Sequence, residues 1–193
     1  MFSMRLLKGA LAAMALLAFC GGAVASATGY GKGGDFTLQG PEGPLSLSDL
    51  RGKVVLIFFG YTSCPDVCPI SLARINASFS ALTEGERDNV RALFITLDPE
   101  RDTIERLAKY TGYFNANIIG LRDDTTGIDK VAKQYGVKYS RDPMPGSALG
   151  YSISHPADIL LVDREGRLVD AVPHDSKPKY LLARIRELLN APD

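Results

Sequence analysis

The chain has no excess of charge of either sign. Its 193 residues contain 22 lysines and arginines and 22 aspartates and glutamates, so the formal net charge at pH 7 is zero. It also lacks a basic stripe and a basic loop interleaved with aromatic residues, which are the usual marks of a nucleic-acid-binding surface. We therefore expect no nucleic-acid partner, and no partner drawn in by strong long-range electrostatic steering.

Cysteine is scarce, which excludes a fold that is held together by several disulfide bonds. Of three cysteines, Cys20 lies in an apolar N-terminal run, and only Cys64 and Cys68 lie in the rest of the chain. A domain of this size buries about two-thirds of the surface of its unfolded chain and needs no disulfide to fold. A bridge between cysteines so close in sequence would also constrain the unfolded chain little. The pair therefore indicates chemistry rather than a structural framework.

The N-terminus is typical of an export signal. Arg5 and Lys8 precede an uncharged run from Gly9 to Ala27, which ends in the A-x-A pattern that signal peptidases cut. We interpret residues 1–27 as a signal peptide or a retained membrane anchor, and lipidation at Cys20 is a third alternative. Each of these places the domain outside the cytosol, either periplasmic or anchored to the outer face of the inner membrane.

The remainder of the chain alternates between strand and helix patterns. We predict a flexible Gly-rich linker over 28–34 and one domain over 35–193. The predicted elements are a hairpin (36–47), a buried strand (54–59), a helix (65–82), a strand (92–97), a helix (103–114, with Asp102 as N-cap), a strand (118–121), a helix (126–135), a loop (141–150), a hairpin (159–172) and a helix (177–189). This alternation predicts an α/β fold with helices covering a central sheet. The late hairpin followed by a helix indicates a thioredoxin-like (peroxiredoxin-like) three-layer sandwich with an N-terminal β-hairpin.

The strongest local signal is the segment from Gly60 to Pro69, which contains Cys64 and Cys68. It follows a buried strand and opens a helix with Pro65 early in it, and sites in open α/β sheets form at the carboxyl ends of strands. The free N–H groups and partial positive charge of a helix start favour thiolate over thiol. If both cysteines lie on the first helical turns, their Cβ atoms are about 5–6 Å apart, which lets two sulfurs share one metal ion. A disulfide between them is the alternative.

A third ligand is needed, because two sulfurs alone make a poor metal site. His155 precedes a buried strand, and in a thioredoxin-like sheet the loop before that strand lies against the helix that carries the cysteines. His155 is therefore the predicted ligand, while His174 and Met144, both in loops, are weaker candidates. Two sulfurs and one imidazole suit Cu(I) and can also hold Cu(II), whereas structural zinc usually has four protein ligands.

Three motifs together resemble those of the Sco/SenC family. The first is the run from Phe58 to Pro69, which contains both cysteines, and the second is the run from Leu97 to Thr103. The third is His155, placed eight residues before Asp163. The resemblance extends over about residues 35–190, and the motifs occur in the family's order.

The resemblance implies a thioredoxin-like fold with copper bound by Cys64, Cys68 and His155. It also implies a membrane-proximal metallochaperone that delivers copper to the dinuclear copper site of cytochrome c oxidase during assembly. The implied partner is the copper-bearing subunit of that oxidase or another copper or thiol protein. The chain departs from the family pattern at Ser154, where an aspartate is usual, and at Pro156, where a small hydroxyl residue is usual. We expect the imidazole to lack an orienting carboxylate, and Pro156 is a candidate for a cis-proline beside the site.

A second function stays open from the residues alone. A thiol–disulfide oxidoreductase would use Cys64 as the attacking thiolate and Cys68 as the resolving thiol, to reduce the cysteines of the acceptor or to act in redox or copper sensing. In that case the two cysteines would be catalytic. His155 discriminates between the functions, because a reductase does not need it and a copper site with three ligands does. Asp66 and Asp98 are interpreted as helix-start and turn residues.

Overall fold

The computed structural model of the protein describes residues 29–192, so the predicted signal peptide or anchor and Cys20 lie outside the described residues. Among the residues that the structure describes, no helix has both the length and the apolar character to span a membrane. The elements follow in the order β1 (Thr37–Gly40), β2 (Gly43–Ser46), β3 (Val54–Gly60), α1 (Val67–Ser80), α2 (Glu84–Asp88), β4 (Val90–Thr96), α3 (Ile104–Phe114), β5 (Ile118–Leu121), α4 (Thr125–Gln134), β6 (Ser140–Pro143), β7 (Tyr151–Ser154), β8 (Ile159–Val162), β9 (Leu168–Val172) and α5 (Pro178–Leu189).

A five-stranded sheet in the order β5-β4-β3-β8-β9 forms the centre of the fold. Its middle strand, β3, pairs in parallel with β4 and antiparallel with β8. Every residue of β3 and of β8 is buried. A strand covered on both faces has no polar side to present to water, which is why β3 is a continuous apolar run rather than an alternating one. The predicted buried strand over 54–59 is therefore confirmed.

Helices cover both faces of this sheet. The ring of Phe58 packs against Phe94 on β4, which in turn packs against Tyr110 of α3. The next side chain, Phe59, packs against Tyr135 at the end of α4. Because successive side chains of a strand point to opposite faces, α3 and α4 lie on opposite sides of the sheet. Helix α1 packs against α3 and α5. The predicted α/β three-layer sandwich is confirmed, and the antiparallel pair β1–β2 is its N-terminal hairpin.

The start of α3 differs from the prediction. Thr103, not Asp102, is the N-cap, and its hydroxyl accepts a hydrogen bond from the backbone N–H of Arg106 at 3.2 Å. Asp102 is fully buried and accepts hydrogen bonds from Thr62 and Thr96 instead. A carboxylate at a helix start is a good cap by local rules. Here Thr62, 40 residues away in the sequence, and Thr96 bind the carboxylate instead, so it does not cap the helix.

The predicted loop over 141–150 is partly a strand, and that prediction was wrong. Strands β6 and β7 pair antiparallel, with Ser140 opposite Ser154 and Pro143 opposite Tyr151, and the connection between them is 144–150. The side chains of β6 are mostly exposed. The sequence of β6 shows no apolar alternation, because its side chains face solvent, whereas β7 contributes the buried Ile153 to the core. The ribbon matters for the site, since β7 ends immediately before His155.

The described part of the predicted linker lies against the domain. The backbone N–H groups of Gly31 and Gly33 donate to the carbonyls of Tyr135 and Gln134 at the end of α4, at 3.0 and 3.2 Å. A Cβ atom on Gly31 would lie 2.2 Å from the Gln134 carbonyl oxygen, so only glycine permits this close approach. The hydroxyl of Tyr30 also donates to the Asp158 carboxylate at 2.8 Å. This segment therefore joins the folded unit close to the loop that carries His155.

Candidate metal centre

Cys64 lies in the turn that leaves β3, and Cys68 is the second residue of α1. The prediction that the helix begins at Pro65 was wrong, because α1 begins at Val67. The residue before a proline is disfavoured in the helical conformation, which keeps Cys64 outside the helix. The two cysteines therefore do not share a helical turn. Instead, Cys64 lies just before the helix start, where the backbone N–H groups of Asp66 and Cys68 favour its thiolate and lower its pKa.

Both cysteines are reduced and buried, with Cys64 9% exposed and Cys68 0%. The sulfur of Cys68 lies over the last residue of β3, where a Cβ atom on Gly60 would approach it to 2.8 Å and would approach the ring of Phe94 to 2.9 Å. Gly60 thus supplies the space that the sulfur occupies. The difference in exposure places Cys64 on the solvent side of the pair, where the attacking thiolate of an oxidoreductase would have to lie.

His155 lies in the segment between β7 and β8, and its ring reaches the cysteines. Its Nε2 atom is 3.9 Å from the sulfur of Cys68, although the two residues are 87 positions apart in the sequence. The edges of two aromatic rings flank the imidazole, those of Phe58 at 6.3 Å and Tyr61 at 6.2 Å between ring centroids. The ring therefore points toward the sulfurs and is held there by packing on the α3 side of the sheet.

The imidazole of His155 is oriented by the main chain. Its Nδ1 atom lies 2.7 Å from the carbonyl oxygen of Pro156, and since a carbonyl can only accept, Nδ1 carries the proton. Nε2 then has a free lone pair directed toward Cys68. This contact provides the orientation that we expected to be missing. Ser154, at the position of the usual aspartate, donates to the carboxylate of Asp142 instead. None of the described residues has a cis peptide bond, so the expectation of a cis-proline at Pro156 was wrong.

The two cysteines differ sharply in acidity. The hydrogen bond from the Cys68 thiol, supported by the amides of the helix start, lowers the pKa of Cys64 to about 5. The same hydrogen bond, together with burial, raises the pKa of Cys68, because its proton is held between the two sulfurs. Burial lowers the pKa of His155, so its imidazole is neutral at pH 7. The site at neutral pH is one thiolate, one thiol and one neutral imidazole.

A buried carboxylate holds the cysteine loop in place. Asp102 accepts hydrogen bonds from the backbone N–H of Thr62 at 3.0 Å and from the hydroxyl of Thr96 at 2.7 Å. Arg106 of α3 donates to the hydroxyls of Thr62 at 2.6 Å and Ser63 at 3.0 Å. The residues immediately before Cys64 are thus tied to the ends of β4 and α3. Sequence reasoning missed this role, because it comes from contacts about 40 residues apart.

A second network ties the β6–β7 ribbon to the sheet. Asp98, which we interpreted as a turn residue, is fully buried and accepts hydrogen bonds from the hydroxyl of Tyr151 at 2.6 Å and from Arg101. The guanidinium of Arg101 lies 3.7 Å from the centroid of the Tyr151 ring and 5.8 Å from that of Tyr61. Because β7 leads directly into His155, this network fixes the approach of the imidazole. The only sequence signal for it was the motif from Leu97 to Thr103.

The weaker ligand candidates stay apart from these groups. His174 lies in the turn between β9 and α5 and makes no hydrogen bond or ion pair with other described residues. Met144 lies at the tip of the β6–β7 ribbon and is 38% exposed. Asp66, at the N-cap position of α1, makes no capping hydrogen bond through its side chain. Within residues 29–192, no three His, Cys, Asp or Glu side chains already have the geometry to hold a metal ion.

Known proteins are similar to this chain in both sequence and fold. Residues 25–190 match the model of the SCO1/SenC family. The chain is 35% identical over 162 residues to mitochondrial SCO2 of Saccharomyces cerevisiae, covering 82% of this chain and 53% of the yeast protein, so it spans about half the length of that relative. The copper-bound structure of Bradyrhizobium japonicum ScoI is 38% identical with a TM-score of 0.74, covering 82% of this chain and 99% of that one. Copper-bound yeast Sco1 is 31% identical with a TM-score of 0.75, covering 84% and 91%.

The close approach at Gly60 predicts that Gly60→Ala perturbs the site through lack of space. The added methyl group forces the Cys68 sulfur or the Phe94 ring to move, and overpacking of this kind costs about 1–3 kcal/mol of the free energy of unfolding. Gly85→Ala in α2 is the matched control, because nothing lies within 4 Å of its Cβ position. That control should be neutral or stabilising by up to about 1 kcal/mol. Urea denaturation measures both, and equal stabilities of the two variants would contradict the steric role of Gly60.

The acidity of Cys64 predicts an unusual pH dependence of alkylation. Because the thiolate is the reactive form, the rate for Cys64 with iodoacetamide should rise through pH of about 5 and then stay level, instead of rising through about 8.5 as for a free cysteine. Cys68→Ala removes the thiol that donates to Cys64 and should move the midpoint upward. Mass spectrometry of the reduced protein follows each cysteine separately. A midpoint unmoved by Cys68→Ala would show that the Cys68 thiol is not the cause.

Proposed function

The chain belongs to the SCO1/SenC family, and we propose that it binds copper through Cys64, Cys68 and His155 and delivers it to a copper protein. The recipient that the family implies is the dinuclear copper site of cytochrome c oxidase, filled during assembly of the enzyme. The protein is then a metallochaperone, and copper is its cargo rather than a resident cofactor. Its partner is the copper-bearing subunit of the oxidase.

One observation carries this proposal, namely the 3.9 Å separation between the Cys68 sulfur and the Nε2 atom of His155. An ion bound to sulfur at about 2.3 Å and to nitrogen at about 2.0 Å, with a trigonal angle between them, sets its two ligand atoms about 3.7 Å apart. The difference is a few tenths of an ångström. The folded chain therefore supports an ion between these two groups with little movement of either, and the Cys64 sulfur lies against the same thiol.

The donor set favours copper over other metals. Two sulfurs and an imidazole are soft ligands, which suit Cu(I), and the same set can hold Cu(II). Structural zinc usually takes four protein ligands, and no carboxylate or second imidazole joins these three groups among the described residues. The carboxylate of Asp102 is already occupied by hydrogen bonds from Thr62 and Thr96. The site therefore lacks the fourth ligand that zinc would use.

The protonation states of the three proposed ligands favour binding and release of copper by ligand exchange. Cys64 is a thiolate and His155 a neutral imidazole at pH 7, so two of the three donors are ready to bind. Binding at Cys68 displaces its proton, which makes metal binding release a proton. Cys64 is the more exposed sulfur, so the thiol of an acceptor would first compete for the metal on that side. Each sulfur of the acceptor can then replace one of the protein's ligands in turn.

The location of the protein is part of the proposal. Residues 1–27 have the pattern of an export signal or membrane anchor. We place the domain of residues 35–193 outside the cytosol, in the periplasm or at the outer face of the inner membrane. A membrane-proximal domain suits delivery to a membrane-bound oxidase, since both partners then share one compartment.

A thiol–disulfide oxidoreductase is the second candidate, and the unequal acidities of the two cysteines favour it. The Cys64 thiolate would attack a disulfide of the acceptor, forming a mixed disulfide and releasing one acceptor thiolate. Cys68, after losing its proton, would attack the sulfur of Cys64 and release the second acceptor thiol. The acceptor gains two electrons and this chain ends with a disulfide between Cys64 and Cys68. The same reversible pair would serve redox or copper sensing.

Copper titration of the reduced protein tests the metallochaperone function. We expect one Cu(I) per chain, and X-ray absorption should count two sulfur neighbours and one nitrogen neighbour. His155→Ala removes a direct ligand and should therefore weaken Cu(I) affinity by more than the roughly 10-fold that loss of a partner of a ligand costs. Cys64→Ser and Cys68→Ser should each abolish stoichiometric binding, because one sulfur and one imidazole hold Cu(I) poorly.

His174→Ala is the matched control for His155→Ala and should keep the affinity of the unaltered protein, since His174 contacts none of the proposed ligands. The proposal is wrong if His155→Ala binds copper as tightly as the unaltered protein. It is equally wrong if a variant with a single cysteine in the domain still holds stoichiometric copper.

The reductase function predicts a different pattern in the same variants. The reduced protein should reduce a disulfide of the metal-free, oxidised copper-bearing domain, and Cys64→Ser should abolish this reaction. Cys68→Ser should stop at a mixed disulfide that mass spectrometry detects. His155→Ala should change the rate little, because the imidazole takes no part in the exchange. A Cys68→Ser variant that forms no mixed disulfide would argue against this second function.

A further inference from the structure

One face of α3 continues the surface around Cys64. Arg106, Lys109 and Tyr113 follow at intervals of three and four residues, so their side chains lie along one side of the helix. Arg106 donates hydrogen bonds to Thr62 at 2.6 Å and to Ser63 at 3.0 Å, and Ser63 is the residue before Cys64. Any protein that reaches the more exposed sulfur of the pair therefore approaches this helix face.

The face contains an exposed aromatic side chain. Tyr113 is 86% exposed, more than any other large hydrophobic residue in the described part of the chain, where Tyr180 follows with 49%. Its ring lies edge-on to Phe114 with centroids 5.4 Å apart, and most of it faces solvent. Tyrosine and arginine are among the residue types enriched at energetically important interface positions.

A shallow cavity of about 330 Å³ lies on this face. We call this cavity and the residues that line it the α3 surface. The cavity is lined by Thr62, Arg106, Lys109, Tyr110 and Tyr113. The lining joins the cysteine loop to the outer side of α3 without interruption. A protruding group from a partner can therefore insert here while another part of the same partner reaches Cys64.

The charge of the α3 surface is positive. Its lining contains two cations and no carboxylate. Lys109 makes no ion pair or side-chain hydrogen bond with other described residues. Arg106 lies 3.7 Å from the buried carboxylate of Asp102, yet half of its side chain is exposed. The neighbouring Glu105 carboxylate is engaged by backbone and hydroxyl hydrogen bonds at the start of α3, which lower its pKa. Lys109 therefore remains available for an ion pair with a partner, since none of the described residues pairs with it.

We propose that the α3 surface is the docking site for the copper acceptor, and that the acceptor presents acidic side chains next to its own metal site. The inference rests on the proposed delivery of copper. Ligand exchange requires the acceptor's thiols to reach Cys64, so the acceptor must cover the adjoining helix face. Lys109 and Arg106 supply complementary charge, and Tyr113 supplies the apolar anchor. Because the chain has no net charge, long-range attraction between the two proteins is weak. The charges of the α3 surface therefore orient the acceptor at short range.

Two variants test the docking site without touching the proposed ligands. The unaltered protein, loaded with one equivalent of Cu(I), is mixed with the soluble, metal-free copper-bearing domain of cytochrome c oxidase, and the second-order rate of copper transfer is measured. Lys109→Glu and Tyr113→Ala should each lower that rate by about fivefold or more, while their Cu(I) affinities stay at the level of the unaltered protein. Added salt should slow transfer by the unaltered protein and have less effect on Lys109→Glu.

Matched controls come from other surfaces of the domain. Lys130→Glu changes an exposed lysine on α4, across the sheet from α3, and Tyr180→Ala changes the next most exposed tyrosine, on α5. Both should transfer copper at the rate of the unaltered protein. Equal rates for Lys109→Glu, Tyr113→Ala and the controls would overturn the docking site while leaving the delivery of copper intact. Loss of Cu(I) affinity in Lys109→Glu or Tyr113→Ala would also overturn it. An unaltered protein that binds copper but never transfers it would refute both proposals.

Discussion

The geometry of the candidate metal centre depends on one contact, the antiparallel pairing of β8 with β3. It sets Ile57 opposite Leu160, so the chain that enters β8 arrives at the end of β3 from which the cysteine loop leaves. His155 and Cys68 meet there because two buried strands share a register, and a slip of one residue would turn every side chain of β8 to the other face. The energy that holds the imidazole beside the sulfurs is therefore that of the apolar core.

Around that contact, the protein sets the protonation states of Cys64, Cys68 and His155 in a buried site. The start of α1 and the thiol of Cys68 stabilise the Cys64 thiolate, while burial keeps His155 neutral. Asp102 and Asp98 are buried beneath the segments that carry these groups, and the carboxylate of each accepts hydrogen bonds. The carboxylates of Asp98 and Asp102 are thus engaged by Arg101 and by hydroxyl groups, and the Cys64 thiolate remains the available anionic ligand.

Much of this fold could be predicted from local patterns. Strand β3 is recognisable from its unbroken apolar run, and the end of α4 from Gly136, which lies two residues beyond the helix and has a positive φ. Both signals are local, because they depend on residues within a few positions of one another. The role of Asp102 could not be predicted in this way, because its partner Thr62 lies 40 residues away in the sequence. Strand β6 could not be predicted either, because its residues are mostly exposed and show no apolar alternation. The start of α1 was misplaced for a local reason, since the proline after Cys64 keeps that residue out of the helix, and the family motifs pointed to His155 without stating what would orient it.

The carbonyl of Pro156 that aligns the imidazole belongs to the main chain. No substitution can delete that oxygen, whereas an orienting aspartate disappears with a single change of codon. A lineage whose histidine is positioned in this way can lose the neighbouring carboxylate without penalty to ring geometry. Searches that judge metal-binding competence by the side chains beside the histidine would therefore discard sequences such as this one, and criteria based on backbone path would retain them.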